Sequence, residues 1–390
     1  MKYSLSDDTW DENEIEAAYN VIKSRYFTMG RYVKEYEKQF AEKFGSRYAV
    51  MSNSGSSANL IAVAALLYSG RLNRGDEVIV PAVSWSTTYF PLSQFGLKLR
   101  FADINLNTLN MDIQAVKKAV TPETKAIMTV NLLGNPNNFD ELKNLCDNKN
   151  LILLEDNCES MGAEFKGKYA GTFGLIGTFS TYYSHHLCTI EGGMSLTDDE
   201  ELYHYMLSIR SHGWTRQLPD NSPVYKKLGD KFYESFNFIM PGFNVRPIEI
   251  EAAVGIEQLK KLDKIIAQRC DNAEYFKKYM SYTPLLTQSE TEKSKSSWFG
   301  FAMILPEEMA GKRELFISAL NKNNIETRPI VAGNFTRQRA MKFLDYTVSG
   351  SLNNADYIHD NGFFVGNHSV NINQNIDLLV KTIKEVCQSI

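Results

Sequence analysis

Short apolar runs alternate with stretches of helical periodicity through the central half of the chain, and this alternation is typical of a parallel sheet covered by helices on both faces. The apolar runs predict seven strands, at residues 48–51, 77–80, 98–101, 126–130, 151–154, 177–179 and 193–196. The helical pattern is clearest at residues 57–69, 112–120 and 140–148. We therefore predict an α/β fold built on a mostly parallel, seven-stranded sheet.

The two ends of the chain have a different pattern. Ile15, Ala18, Tyr19 and Ile22 recur at helical spacing, which predicts an amphipathic helix at residues 11–24. After residue 245 the pattern predicts a long helix, then a strand, a helix, a strand and a terminal helix, at residues 248–279, 298–304, 312–322, 326–329 and 376–389. We expect a large domain at residues 1–255, which includes the N-terminal helix, and a small α+β domain at residues 256–390.

Composition excludes several classes of protein. The 390 residues include 42 Lys and Arg against 46 Asp and Glu, and a net charge of −4 argues against a dedicated nucleic-acid binder. No apolar run reaches the roughly 18 residues of a membrane span, and residues 1–11 lack the pattern of a secretory signal. Five scattered cysteines without Cys-x-x-Cys spacing predict neither a zinc ribbon nor an iron–sulfur cluster. A soluble protein in the reducing cytoplasm is expected.

Small and hydroxyl-bearing residues at positions 52–59 follow a predicted strand and begin an apolar helix. The free N–H groups of a helix start favour an anion such as a phosphate group, and small residues allow close approach. An ordinary serine-capped helix explains the same pattern. The segment lacks the lysine of a phosphate-binding P-loop, and Gly171, Gly174 and Gly177 do not have dinucleotide-binding spacing.

Polar and aromatic side chains follow two of the predicted strands. Glu155 and Asp156 end an apolar strand, and in α/β proteins this carboxyl edge of the sheet is where ligands bind. A carboxylate there could hold a metal, act as a base or pair with a protonated ring nitrogen, or it could simply cap a helix. Trp85 follows the strand at 77–80, where it could stack on a flat heterocycle or pack in the core.

Only six histidines occur, and His185 and His186 are adjacent. The pair could bind a metal, but adjacent side chains diverge and no third ligand is close in the sequence. Structural roles remain open, and so does proton transfer, because imidazole titrates near neutral pH.

The order of these motifs resembles the DegT/DnrJ/StrS family of sugar aminotransferases, which have the aspartate aminotransferase fold and use pyridoxal phosphate. The resemblance rests on residues 27–30, 54–56, 155–157, 179–180, 191–193 and 242–246 together with Trp85. It implies that Gly55, Ser56 and Ser180 hold the cofactor phosphate. It also implies that Trp85 stacks on the cofactor ring, that Asp156 pairs with the ring nitrogen and that Glu159 lies beside the ring. Asn244 would reach the phosphate of the neighbouring subunit, which implies a homodimer with shared active sites.

One departure from the family pattern changes the implied reaction. Family aminotransferases carry their cofactor-linking lysine six residues before the Glu of Glu-Gly-Gly, and this chain has His185 there. No lysine occurs between Lys168 and Lys226, so a shifted alignment does not restore one. Within the family this replacement marks sugar 3-dehydratases, which remove a hydroxyl group.

The resemblance implies a GDP-linked 4-keto-6-deoxy sugar of the mannose type as substrate, with pyridoxal phosphate and pyridoxamine phosphate as the two cofactor forms. L-Glutamate would donate the amino group, and ammonia would be released. His185 would be the catalytic base, with His186 as the alternative, and His212, Arg246 and Arg328 would contact the substrate. No metal and no iron–sulfur cluster is implied. A conventional sugar-nucleotide aminotransferase and a noncatalytic cofactor-binding protein remain the alternatives.

Overall fold

The computed structural model describes residues 2–390, which form one eight-stranded sheet, two three-stranded sheets and their helices. The helices are α1 (Glu12–Ser24), α2 (Arg31–Phe44), α3 (Gly55–Tyr68), α4 (Ser86–Gln94), α5 (Ile113–Ala119), α6 (Phe139–Lys149), α7 (Glu200–Ile209), α8 (Lys231–Glu234), α9 (Glu249–Met280), α10 (Arg313–Lys322), α11 (Asn353–Asn361) and α12 (Asn373–Ser389). The strands are β1 (Tyr48–Ser52), β2 (Glu77–Pro81), β3 (Lys98–Ala102), β4 (Thr124–Val130), β5 (Ile152–Asp156), β6 (Glu164–Phe165), β7 (Lys168–Tyr169), β8 (Ile176–Ser180), β9 (Gly193–Thr197), β10 (Leu286–Thr287), β11 (Ser294–Lys295), β12 (Gly300–Ile304), β13 (Tyr346–Val348) and β14 (Gly362–Gly366). None of these helices is long and apolar enough to cross a membrane.

The large sheet contains all seven predicted strands, in the spatial order β1-β9-β8-β5-β4-β2-β3. Five of its central strands run parallel, and β9 is antiparallel to both of its neighbours. An eighth strand, β13, extends the edge by pairing parallel with β3. The sequence pattern did not predict β13, because its three residues are all exposed and form no apolar run. The mostly parallel α/β sheet is confirmed.

The predicted helices are present, and the long helical stretch after residue 245 is the single helix α9. Helices α2, α4, α7, α8 and α11 were not predicted. The strand expected at residues 326–329 is wrong. Only Arg328 makes an isolated bridge there, with Phe364, and the following Pro329 lacks the N–H group that would continue a ladder.

The C-terminal part of the chain forms a second core around the sheet β10-β12-β14, covered by α10 and α12. Tyr3 from the N-terminus is fully buried in this core. Conversely, Ile330 and Phe335 pack in the core of the large sheet. The expected domain boundary at residues 255 and 256 lies inside α9, and the division into two domains stays a prediction.

Helix α1 has its apolar face directed outward. Ile15, Tyr19 and Ile22 are each more than half exposed, although the periodicity alone would place them in a core. The buried face instead carries Glu14, whose carboxylate accepts hydrogen bonds from Lys261 Nζ at 2.7 Å and Gln258 Nε2 at 2.8 Å. The buried face of α1 thus combines this polar contact with the fully buried Val21, and an apolar stripe of about two turns remains on the surface of the single chain.

Candidate active site

A cavity of about 510 Å³ opens at the carboxyl edge of the large sheet and brings most of the predicted site residues together. Seven of them line it: Gly55, Ser56, Trp85, Asp156, Glu159, Ser180 and His185. Further lining residues had no predicted role: Ser54, Ser84, Thr87, Val130, Cys158, Tyr182, Ser184, Glu191 and Phe299. Phe299 comes from the C-terminal part of the chain, and no local sequence signal could have placed it here.

The N-terminus of α3 forms one wall of the cavity. Ser54 caps the helix by accepting a hydrogen bond from the Ser57 N–H at 3.1 Å. A Cβ atom on Gly55 would lie 2.6 Å from Ser180 Cβ and 2.9 Å from Cys158 Sγ, so only glycine lets the helix start approach the end of β8 this closely. The helix cap is therefore present, the first turn of α3 lies at the cavity wall, and the anion site of this segment stays a prediction.

Asp156 lies at the end of β5 and is 5% exposed. Its Oδ2 accepts hydrogen bonds from Asn59 Nδ2 at 2.9 Å and from Thr88 Oγ1 at 2.7 Å. These two hydrogen bonds fix the carboxylate at the cavity wall, where it can pair with a cationic ring nitrogen. Trp85 lies just before α4 and is 57% exposed, so it faces the cavity mouth and does not pack in the core.

Glu159 has an unusual proton affinity. Its Oε2 accepts a hydrogen bond from the Leu133 N–H at 2.9 Å, and Leu133 holds a left-handed backbone conformation with φ 53°. Burial, and secondly the charge of Asp156, raise the pKa of Glu159 to about 7. At neutral pH this carboxyl group therefore exchanges between its acid and its carboxylate form.

His185 lies in the turn after β8, with its ring edge-on to Phe299 at 5.2 Å between ring centroids. Its backbone N–H donates to the Tyr182 carbonyl at 2.8 Å, while its buried Nδ1 has no hydrogen-bond partner. Burial, and secondly the charge of Arg269, lower the pKa of His185 to about 4. The imidazole is consequently neutral at pH 7 and can accept a proton.

His186 is fully buried, does not line the cavity, and has Nε2 at 3.0 Å from the Ser297 carbonyl. This contact is structural, and of the two histidines only His185 borders the cavity. Within residues 2–390, no group of three or more His, Cys, Asp or Glu side chains could hold a metal ion. No lysine is among the residues that line this cavity in the described part of the chain.

Four predicted residues lie elsewhere on the single chain. Asn244 is exposed and accepts a hydrogen bond from Arg246 Nε at 2.9 Å. Arg246 borders a second cavity of about 620 Å³ between α2 and α7. His212 is exposed in a left-handed conformation, with φ 65°. Arg328 is exposed and lines a third cavity of about 370 Å³ beside α10. None of the four borders the cavity that contains His185.

Comparison with known proteins covers nearly the whole chain. The model of the DegT/DnrJ/EryC1/StrS aminotransferase family matches residues 8–384. A GDP-4-keto-6-deoxy-D-mannose 3-dehydratase of Escherichia coli O55:H7 is 54% identical over 98% of this chain and 100% of its own length. A crystal structure of a GDP-4-keto-6-deoxymannose-3-dehydratase with a trapped PLP-glutamate geminal diamine has a TM-score of 0.96 at 54% identity, over 98% of this chain and 100% of that chain. A mutant of that enzyme with bound GDP-perosamine gives the same values.

Proposed function

Because the chain belongs to the DegT/DnrJ/EryC1/StrS aminotransferase family, we propose that it is a pyridoxal-phosphate-dependent 3-dehydratase acting on GDP-4-keto-6-deoxy-D-mannose. One observation carries the proposal: the cavity is lined by a neutral histidine, His185, and by no lysine among the described residues. Without a lysine, the enzyme cannot bind its cofactor covalently as an aminotransferase does. The competing aminotransferase function is disfavoured for the same reason.

The residues of the cavity fit pyridoxal phosphate. Gly55 leaves the space that a Cβ atom would fill, and the adjoining N–H groups of α3, with Ser56 and Ser180, suit the phosphate. Asp156 suits the ring nitrogen and Trp85 the ring face. When bound, the cofactor supplies an amino group, gained from glutamate, for the C4 ketone of the sugar and a ring that accepts electrons as the C3 hydroxyl group leaves.

The protein side chains supply binding and proton transfer. The neutral imidazole of His185 takes up a proton in the cavity and can deliver it to the departing C3 hydroxyl group. Glu159, with its pKa of about 7, can exchange a proton beside the ring at neutral pH. Each turnover exchanges the C3 hydroxyl group for hydrogen while glutamate becomes 2-oxoglutarate and ammonia, so glutamate provides the two electrons.

The choice of substrates is supported by the relatives. The 54% identical enzyme is named for GDP-4-keto-6-deoxy-D-mannose, and one related structure contains GDP-perosamine, another GDP-linked sugar. A glutamate adduct of the cofactor in a second structure supports glutamate as the amino donor. The five free cysteines agree with a reducing compartment such as the cytoplasm.

We also propose a homodimer with shared active sites. The exposed apolar stripe of α1, with Ile15, Tyr19 and Ile22, needs a partner surface, and a second copy provides one. Asn244 and Arg246 lie on the surface away from their own cavity, as expected if they serve the cavity of the partner subunit. The substrate contacts of His212 and Arg328 stay predictions, since neither residue lines the cavity of its own chain.

The direct test is incubation with pyridoxal phosphate, glutamate and GDP-4-keto-6-deoxymannose, followed by mass analysis of the sugar nucleotide. We expect a product that lacks one oxygen atom, together with ammonia and 2-oxoglutarate, and no product without glutamate. The His185→Asn variant is the matched control. An amino sugar as the main product would instead establish the aminotransferase. Parallel CDP- and dTDP-linked substrates test the preference for GDP.

A further inference from the structure

Arg269 on α9 has a buried guanidinium group with too few partners. Its side chain is 2% exposed, and its Nε has no hydrogen-bond partner. Nη1 donates to the carbonyl oxygen of Phe299 at 3.2 Å and, at 3.5 Å, to that of Trp298. The nearest carboxylate, on Asp7, is 3.8 Å from Nη2. Burying a cation so sparsely paired costs stability, which makes a purely structural role a poor explanation.

A second buried arginine provides the contrast. Arg210 is 4% exposed, and its Nη1 contacts Glu37 and donates to the Met51 carbonyl at 2.7 Å. Its Nε and Nη2 both donate to Gln217 Oε1, at 3.3 and 3.2 Å. All three nitrogens are therefore used, and Arg210 is the fully satisfied kind of buried arginine that a fold requires. Arg269 differs because its Nε has no hydrogen-bond partner, so a role beyond the support of the fold has to be considered.

Arg269 donates hydrogen bonds to backbone carbonyl groups of a segment that contacts His185 directly and Glu159 through Leu133. In this segment, residues 296–299, the Phe299 ring packs on His185 and the Phe299 N–H donates to the Leu133 carbonyl at 3.0 Å. The Leu133 N–H in turn donates to Glu159. Arg269 thus lies behind the cavity wall, joined to His185 through one residue and to Glu159 through two.

We propose that Arg269 is a positioning residue of the active site: it fixes the backbone at Phe299, so that the ring orients His185, and its buried positive charge keeps the imidazole in the neutral form that accepts a proton. The inference rests on the proposed function for its catalytic meaning. It extends that function by assigning a role to a residue that does not itself line the cavity and reaches it through the backbone of Phe299.

The charged and titratable groups around His185 are few. Arg269 faces it from α9, and Asp7 is the carboxylate closest to Arg269 on the N-terminal segment. His186 adjoins it in the chain, and Tyr182 contacts its ring edge at 5.9 Å between centroids. The remaining groups line the cavity: Asp156, Cys158, Glu159 and Glu191. Arg269 is the permanent cation in this set, because its pKa is still about 10 after burial has lowered it.

The test is a titration of His185 by histidine ¹³C NMR between pH 5.5 and 8, on the full-length enzyme with and without pyridoxamine phosphate. The His185→Asn variant assigns the signal. We expect the wild-type signal to stay at its neutral position throughout, and the signal of Arg269→Met to move toward its protonated position at the acid end of the range, because the charge of Arg269 is lost while burial remains. Arg269→Met leaves the Asp7 carboxylate without its cation. The double variant Asp7→Asn, Arg269→Met removes that charge as well, so a shift that persists in it is not caused by Asp7. Lys264→Gln, which removes an exposed cation from the same helix, should leave the signal unchanged.

Activity supplies the second readout. For Arg269→Met, kcat/KM should fall more steeply between pH 8 and pH 6 than for wild type, since a larger fraction of the imidazole is then protonated. Arg269→Lys should restore the wild-type pH profile but not the full kcat, because the charge returns without the two-carbonyl contact. If Arg269→Met fails to fold, a wild-type His185 that titrates near 6.5 overturns the inference by itself.

An unshifted His185 signal in folded Arg269→Met also overturns the inference, as does a loss of kcat with an unchanged pH profile. The NMR readout needs no turnover. A shifted His185 titration in a protein that does not dehydrate the sugar would therefore refute the proposed function and leave the effect of Arg269 on His185 standing.

Discussion

Glu159→Gln should stabilise the cofactor-free protein, and the gain should depend on pH. The pKa of Glu159 is raised from 4.5 to about 7 by burial and by Asp156. For a carboxyl group with a raised pKa, the folded state holds the proton while the unfolded state releases it. The contribution of Glu159 to the free energy of unfolding is therefore largest below pH 4.5. It decreases as the pH rises from 4.5 to 7 and is constant above pH 7.

The size of the effect follows from the two pKa values. One pKa unit corresponds to about 1.4 kcal/mol, so ionised Glu159 lowers the free energy of unfolding by about 3 kcal/mol at pH 8 and by about 1 kcal/mol at pH 5. Glutamine keeps an oxygen that can accept the hydrogen bond from the Leu133 N–H and carries no charge. Relative to wild type, the variant should therefore gain about 2 kcal/mol more at pH 8 than at pH 5.

Urea unfolding at pH 5, 6, 7 and 8, at one protein concentration, measures this difference. Glu308→Gln, at an exposed site outside the cavity, is the control and should show no trend with pH. Equal changes at pH 5 and pH 8, or a variant that is less stable at pH 8, would refute the reasoning. Such a result would mean that the carboxyl group of Glu159 is ionised in the folded protein well below pH 7.

Three further predictions concern cofactor and turnover. His185→Asn should lower turnover by roughly 10²- to 10⁴-fold with little change in the Kd of pyridoxal phosphate, because the base is lost but the phosphate site is intact; normal dehydration would refute the role of His185. Gly55→Ala should raise that Kd by roughly 10- to 100-fold in a fluorescence titration, since its Cβ would lie 2.6 Å from Ser180 Cβ and such overlap costs about 1–3 kcal/mol; an unchanged Kd would contradict it. Mixed and refolded His185→Asn and Asn244→Ala subunits should recover about a quarter of wild-type activity, because each heterodimer has one intact site; no recovery would refute sharing of Asn244 across the interface.

Most strands of the large sheet could be predicted because they are apolar runs buried on both faces, a signal that local sequence carries by itself. Helix α4 could not, since its residues are mostly hydroxyl-bearing or aromatic and Pro91 lies inside it. Strand β13 has no burial to mark it. In α1 the periodicity predicted the helix correctly, but it could not show that Ile15, Tyr19 and Ile22 are exposed while Glu14 packs on Lys261 and Gln258.

The residues of the candidate site also fall into two groups, those that the local sequence marks and those that only the packing of distant segments brings to the site. Gly55, Asp156 and Ser180 are marked locally, because each lies at a strand end or helix start whose position the sequence predicts. Arg269 and Phe299 are not, since they reach His185 only through the packing of α9 and the segment after β11. The missing lysine could be read from the sequence. The proton affinity of the histidine in its place could not.

Replacing the lysine of a family aminotransferase by histidine should not by itself reproduce the site of this protein. A lysine-to-histidine exchange supplies an imidazole, but an imidazole in water has an ordinary pKa near 6.5 and is partly protonated at neutral pH. In this protein the neutral form is enforced by burial and by the charge of Arg269. Its ring is further held by Phe299, which is anchored to α9. The exchange alone should therefore give a weaker base with a less defined orientation, unless the residues behind the cavity wall are already in place.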